Sequence, residues 1–423
     1  MLYIFFFSFF RVLDIFSLLT FFLAFIFVIL FWYMGRHDGV FFLDYLSLLL
    51  LFVSFWVYFF TIIILKGDYL EISIYWLILL LTFFSFSIRR IIIFYVSFEA
   101  IFLLIFFYLI GWGKTAERFQ ASFYMFFYTL AFSLPFLIVL VIFKTYLPVS
   151  FFFGGISFWI TWTWFFVLLL FIVKLPLFGF HVWLPKAHVE APVRGSILLA
   201  GVLLKLGGYG LLRFLPFMQY VRFSFSLLET FFFYQAILGA LLVSFFCIRQ
   251  IDLKIVIAYS SVVHMRVIFL GLFSYKTLGM LGGTIIIVAH GFLSPLLFFL
   301  ISLFYDFFNS RRNIVIKGLM LVSPLLCVAW FLRCFLNLGI PPFISFFSEI
   351  SILGSIRFLR GVDWLVIGAS IFIAGAYCVY MYVMPTHGVR LLPVFFYLDL
   401  KSFVIFFLSL FFVLSFPLFF FYQ

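Results

Sequence analysis

The sequence predicts an all-α polytopic membrane protein, a single transmembrane domain of about 13–14 helices. Three observations carry that prediction. Of 423 residues, 68% are hydrophobic and only 9% are charged, with a mean hydropathy of +1.36. A soluble chain has roughly a quarter of its residues charged. Apolar stretches of about twenty residues recur from end to end, each long enough to cross roughly 30 Å of hydrocarbon. The net charge of +12, from 26 basic and 14 acidic residues, reads as topogenic Lys and Arg holding loops on one face. The 76 phenylalanines exceed what lipid solvation asks for and point to a T-rich coding genome of the kind found in organelles.

Spans are expected at 12–34, 41–65, 70–88, 91–110, 120–147, 158–180, 193–214, 227–247, 254–273, 278–304, 320–357, 364–384 and 401–420. The stretch 320–357 is too long for one crossing and contains "NLGIPPF", where Pro341 and Pro342 remove two backbone donors. A continuous helix cannot pass them, so a helix broken within the membrane is expected, unwound over Gly339–Pro342. A second break is expected in Phe158–Phe180, where Lys174 and Pro176 follow sixteen residues without charge or helix breaker. Unsatisfied backbone is tolerated in a membrane only where protein or water covers it, and paired broken helices point to a transport site. The break beside Lys174 is expected to open backbone groups to water and give the cation room to exchange its proton. The spacing of the two breaks suggests two inverted repeats of five helices. The chain then divides into N-terminal helices at 1–66, a first repeat at 67–215, a second at 225–385 and a C-terminal helix at 386–423. The loops after the spans beginning at 41, 91, 158, 227, 278 and 364 are richer in Lys and Arg, which puts them on the matrix or cytoplasmic side.

Several functions are excluded. No basic cluster is large enough for a nucleic-acid partner. Cys247, Cys327, Cys334 and Cys378 form no C-x-x-C pair, so no iron–sulfur or zinc site is expected. No G-x-G-x-x-G follows a strand. The chain is therefore expected to carry no electrons itself. The first ten residues lack a basic n-region and a small-residue cleavage site, so no cleavable targeting segment is expected.

The charges at membrane depth are more informative. Glu99 lies about 12 Å into its span at 1.5 Å per residue. Lys205 sits mid-span among Gly201, Gly207, Gly208 and Gly210, which allow close helix contact or a hydrated gap. His264 and Arg266 share one span, His290 sits in the next, and Glu349 follows the second break. With Lys174 these make seven ionisable groups at depth. Each costs several kcal/mol to bury. A lone buried histidine is as often a satisfied structural group as a functional one, but seven groups on different helices point to a proton path. Burial disfavours the charged form and an opposing charge restores it, so a buried Lys–Glu pair is adjustable by separation.

The stretches "FYVSFEA", "GWGKTAERFQASFYMFFYTLAFSLP", "VKLPLFGFHVWLPKAHVEAPVRGS", "LLKLGGYGLLR", "DLKIVIAYSSVVHM" and "AHGFLSPLLF" resemble the NADH–ubiquinone oxidoreductase chain 4 family, antiporter-like subunits in the membrane arm of respiratory complex I. The resemblance covers about residues 41–385. It implies fourteen helices in two inverted five-helix repeats, each with a discontinuous helix. It also implies a proton relay through Glu99, Lys174, Lys205, His264, His290 and Glu349, driven by quinone reduction elsewhere in the complex. No cofactor is implied in this chain. NADH, FMN, iron–sulfur clusters and ubiquinone are expected in partner subunits, which include chain 2-like and chain 5-like antiporter subunits. Phospholipids including cardiolipin, and protons, complete the partners, and the mitochondrial inner membrane is the expected location, with a bacterial plasma membrane as the alternative.

Some residues depart from the family pattern. "IPPFISFFSE" lacks the usual asparagine and glycine, and "IFLLIF" replaces a proline-containing run after Glu99. Arg194 and Arg266 stand where the family mostly has small or neutral residues. Arg266 is expected to perturb His264 or to pair with an acid. Only about forty residues precede "FFLDYLSLL", enough for one clear span where the family has two. Two other readings compete: an independent Mrp-type Na⁺ or K⁺/H⁺ antiporter, against which the "HVWLPKAHVEAP" run argues, and a structural subunit whose charges are relics.

Overall fold

The computed structural model describes residues 43–64, 69–88, 90–113, 115–146, 157–341, 343–356 and 361–388. The expected spans at 12–34 and 401–420, the count of N-terminal helices and Pro342 lie outside the described residues. The described chain is helical almost throughout, as a membrane requires of backbone that has no water to bond. Helix α1 spans Tyr45–Ile64, α2 Tyr69–Ser87, α3 Ile91–Trp112, α4 Arg118–Tyr146 and α5 Ser157–Lys174. The short α6 (Trp183–Glu190) and α7 (Val193–Leu198) follow, then a π-helical turn at Leu199–Leu203 that runs into α8 (Leu204–Arg249). The second half holds α9 (Leu253–Phe273), α10 (Thr277–Phe308), α11 (Leu319–Val322), α12 (Pro324–Leu338), α13 (Ile344–Ser355) and α14 (Gly361–Thr386). Among the described residues, eight helical stretches are long and apolar enough to cross a membrane.

Both expected breaks are present. After Lys174 the chain leaves the helix until Trp183. Pro176 has no N–H to offer Ile172, and the Leu177 amide takes that carbonyl instead, at 3.2 Å. The freed Val173 carbonyl accepts the Trp183 indole N–H at 3.1 Å, and the Phe178 carbonyl accepts from Gln235 Nε2 at 2.5 Å. Gly179 turns the chain with φ +94°, a conformation open to glycine at little cost. The freed Val173 and Phe178 carbonyls are thus satisfied by side chains of this chain, and Lys174 is 1% exposed. At the second break α12 ends in Gly339, left-handed at φ +71°, and Ser345 Oγ donates to the Leu336 carbonyl at 3.1 Å.

The two expected spans at 193–214 and 227–247 are present as Val193–Pro216 and Leu228–Arg249, but they are joined without a loop: residues 204–249 form a single helix of 46 residues with Pro216 inside. At 1.5 Å per residue this is about 69 Å of helix. The connecting stretch "FMQYVRFSFSLLE" contains no glycine and no second proline, so nothing in it terminates the ladder after Pro216.

The core lies where α8 packs on α9 and α10 on α13. Small residues set the closest approaches. A Cβ on Gly201 would meet Val57 at 2.6 Å and Pro295 at 3.1 Å, and one on Gly210 would overlap the Phe171 ring. Gly210→Val is therefore expected to push α8 off α5 at a cost of about 1–3 kcal/mol, the usual penalty of overpacking. It would be seen as a lower unfolding temperature of the complex, and an unchanged unfolding temperature would contradict the packing.

Candidate functional site

The first ionisable group of residues is a pair. Glu99 projects from the middle of α3 and Lys174 is the last residue of α5, where the helix stops. Lys174 Nζ lies 3.4 Å from Glu99 Oε1, with the lysine side chain 0% exposed and the glutamate 15%. The contact lacks hydrogen-bond geometry, so it is a charge pair held by position. Two aromatic faces from α3 complete the cage. Nζ sits 3.1 Å from the centroid of Phe102 and 4.4 Å from that of Phe98, in the range of cation–π attraction. Phe98 and Phe102 sit one position before and three after Glu99, so one helix face supplies both the acid and the rings.

Lys205 is built into the helix line by the π-helical turn just before it. A π turn opens the regular ladder, and here the Ala200 carbonyl inside that turn accepts a hydrogen bond from Lys205 Nζ. On its other side Nζ lies 2.8 Å from His290 Nδ1, so a charged Lys205 donates to that nitrogen. Gly291 makes room: a Cβ there would lie 3.3 Å from Lys205 Cε. Ser294, one turn further along α10, donates to the His290 carbonyl at 2.8 Å.

From His290 the line continues across to α9 and to the second break. The His264 and His290 rings are 5.7 Å apart. His264 Nε2 lies 3.1 Å from Asn337 Oδ1, and Asn337 Nδ2 donates to Cys378 Sγ at 3.6 Å. A cavity of about 40 Å³, lined by His264, His290, Asn337 and Ser345 among apolar residues, adjoins these groups. That is room for a few waters. Beyond it Glu349 turns back on the break: its carboxylate lies 3.3–3.4 Å from where a Cβ of Gly339 would be. The positive φ favours glycine there, and the carboxylate leaves little room for a side chain.

The six residues expected from the sequence fall into two groups, with Lys174, Lys205, His264 and His290 buried and Glu99 and Glu349 half-buried. Lys205, His290, His264 and Asn337 form a nearly continuous line that ends near Glu349. Glu99 and Lys174 form a separate pair, joined to that line by packing: a Cβ on Gly207, two residues after Lys205, would lie 3.1 Å from the Lys174 Cβ.

Asn337 was not singled out in the sequence, although it sits two residues before the glycine that opens the break. Arg194 pairs with Glu71 at 2.5 Å, and the Tyr108 hydroxyl donates to the other Glu71 oxygen at 2.9 Å. This cluster gathers the starts of α2 and α7 and the end of α3, and nothing in the sequence singled out Glu71. Among the described residues Arg266 has no acid partner of the kind expected. Its guanidinium lies over Phe178, 5.6 Å from the ring centroid, and beside Gly239, while His264 bonds Asn337. Cys247, Cys327, Cys334 and Cys378 are free and buried. Among the described residues no cluster of His, Cys, Asp or Glu is arranged to hold a metal ion.

The family described as NADH:quinone oxidoreductase/Mrp antiporter, transmembrane part, matches residues 89–374. The chain is 39% identical to NADH-ubiquinone oxidoreductase chain 4 of Locusta migratoria over 309 residues, covering 72% of this chain and 68% of that one. It is 35% identical to the chain 4 of Ceratitis capitata over 354 residues, covering 82% and 79%. Its fold is similar to a chain of respiratory complex I from Thermus thermophilus, with TM-score 0.82 at 22% identity over 95% of this chain and 90% of that one. It is also similar to a chain of the archaeal membrane-bound sulfane sulfur reductase, with TM-score 0.81 at 17% identity, over 96% and 88%. The chain belongs to the NADH:quinone oxidoreductase/Mrp antiporter family and, within it, to the NADH-ubiquinone oxidoreductase chain 4 proteins.

Proposed function

We propose that this antiporter-like, proton-translocating subunit of complex I moves protons along Glu99, Lys174, Lys205, His290, His264 and Glu349, with Asn337 and cavity water bridging the last interval. The observation that supports this most is the run of polar contacts through an otherwise apolar core: Lys205 to His290 at 2.8 Å, then His264 to Asn337 at 3.1 Å. Each member can both accept and release a proton or orient a water that does. Electron transfer from NADH to ubiquinone takes place in partner subunits, which carry FMN and iron–sulfur clusters. Its coupling to this chain acts through the separation of Glu99 and Lys174, which changes the charge felt at Lys205. The neighbours would be the chain 2-like and chain 5-like antiporter subunits with phospholipids such as cardiolipin at their seams, in the mitochondrial inner membrane. The two breaks mark corresponding places in two inverted repeats, 67–215 and 225–385.

Asn337→Leu tests the second half of the path. Leucine keeps the bulk and removes both hydrogen bonds, so assembly should persist. Loss of a hydrogen bond within the transfer line is worth about 1–1.5 kcal/mol, which corresponds to roughly tenfold in rate. NADH-driven acidification of vesicles carrying the variant complex is expected to slow by that order. Pumping at the unmodified rate would remove Asn337 and the cavity from the path.

A further inference from the structure

A second set of buried polar groups surrounds the unwound segment after Lys174, apart from the axis just described. Three side chains from three elements converge on Phe178. Gln235, on α8, donates Nε2–H to the Phe178 carbonyl at 2.5 Å, and its own Oε1 is buried without a hydrogen bond. His181 stacks on the Phe178 ring at 5.4 Å with an angle of 19°, and its Nδ1 is buried without a hydrogen bond. Arg266, on α9, is 0% exposed, and all three of its side-chain nitrogens lack a hydrogen bond. Gly239, one turn beyond Gln235, admits the guanidinium: a Cβ there would lie 3.1 Å from Arg266 Nη1 and 2.6 Å from Phe178 Cβ. Tyr259, also on α9, closes the far side of His181 at 6.1 Å.

A buried guanidinium with five unsatisfied N–H donors is among the most expensive arrangements a protein can hold. Beside it stand an amide oxygen that accepts and an imidazole nitrogen that does either. Donors and acceptors that stay unpaired around one short non-helical segment are the setting in which buried water bridges polar groups.

We propose that Gln235, His181 and Arg266 line a water site beside the half-buried Phe178–His181 segment, and that the site is sealed against protons by charge. Water bridges Arg266 to Gln235 Oε1 and His181 Nδ1 and is available to solvate the segment when Lys174 moves. The same water cannot serve as a leak. Arg266 keeps its charge at any physiological pH, so an excess proton arriving there meets a fixed cation of like sign. Fixed cations exclude protons from hydrated pores in the same way. Arg266 projects toward α8 and the first break while His264, two residues earlier, bonds Asn337. One helix therefore presents the relay to one side and the barrier to the other.

This inference rests on the proton-translocating reading, and its test is independent of pumping. The intact complex is reconstituted in vesicles, an imposed pH gradient is followed without NADH, and its decay is compared for the unmodified protein, Arg266→Met and Arg266→Lys. The gradient is expected to collapse several-fold faster with Arg266→Met, to hold with Arg266→Lys, and NADH oxidation by the uncoupled complex is expected to be unchanged. An unchanged decay in assembled Arg266→Met overturns the seal. A high-resolution density map of the unmodified complex decides the matter if Arg266→Met does not assemble: water density bridging Arg266, Gln235 and His181 supports the site, and direct contact of the guanidinium with protein on all sides overturns it. Normal pumping by Lys205→Arg would instead count against the relay, leaving the leak result to speak for the seal alone.

Discussion

Replacing Lys205 with arginine is expected to abolish NADH-driven proton pumping as completely as replacing it with alanine, in a complex that still assembles. Lys205 Nζ is held between the Ala200 carbonyl and His290 Nδ1. Lysine is a compact ammonium that gives up its proton readily when desolvated, whereas arginine holds its proton at any physiological pH. Lys205→Arg therefore keeps the positive charge and removes the transferable proton. The reduction in pumping should exceed tenfold, that is, more than about 1.4 kcal/mol in barrier. If Lys205 served only as a fixed charge holding His290 in place, Lys205→Arg would pump at close to the unmodified rate. Proton-to-electron stoichiometry in vesicles separates the two outcomes, with native electrophoresis confirming assembly.

The Glu99–Lys174 pair is expected to behave asymmetrically. Glu99→Gln leaves the Lys174 ammonium buried between two phenyl rings with no countercharge. Breaking a buried pair from one side costs about 3–5 kcal/mol, while replacing both partners with apolar groups is often neutral. The double variant Glu99→Gln, Lys174→Met should therefore recover most of the stability lost in Glu99→Gln. Pumping should recover in neither. Thermal unfolding of the purified complex, read beside NADH-driven acidification, distinguishes structure from transport. Recovery of pumping together with stability would show the pair to be a scaffold. Equal instability of single and double variants would show that the rings and not the acid hold Lys174.

The membrane class, the two breaks and the positions of Glu99, Lys174, Lys205, His264, His290 and Glu349 were legible in the sequence, because a charge or a proline inside twenty apolar residues has no inexpensive alternative meaning. Three features were not. Asn337 is a neutral amide, and nothing in its spacing separates it from any other polar residue near a helix end until His264 is seen across from it. The pairing of Glu71 with Arg194 joins residues 123 positions apart, and no local pattern encodes it. The helical connection between the spans at 193–214 and 227–247 was the third, because crossing lengths set where spans fall and not whether the helix continues between them, and the backbone there meets no terminating signal after Pro216. The break at Lys174 was legible, but the partners of its freed carbonyls were not. Which groups would take the freed carbonyls depended on Trp183 and Gln235, whose approach only the folded chain determines.

The anchoring of Lys205 to a carbonyl of its own helix bears on how little must move during a turnover. An ammonium has three hydrogens and a neutral amine keeps two, so the Ala200 carbonyl retains its donor whichever form Lys205 takes. The contact with His290 is equally indifferent. A charged Lys205 gives a hydrogen to Nδ1, and after transfer the protonated Nδ1 gives one back to the amine lone pair, between the same two atoms at the same 2.8 Å. A carboxylate partner would be lost or gained as an ion with every cycle, and the side chain would swing to follow it. With a peptide oxygen and an imidazole as neighbours, only the hydrogen shifts. The slow, large displacements are thus left to the ends of the path, where Lys174 faces a carboxylate that it must leave.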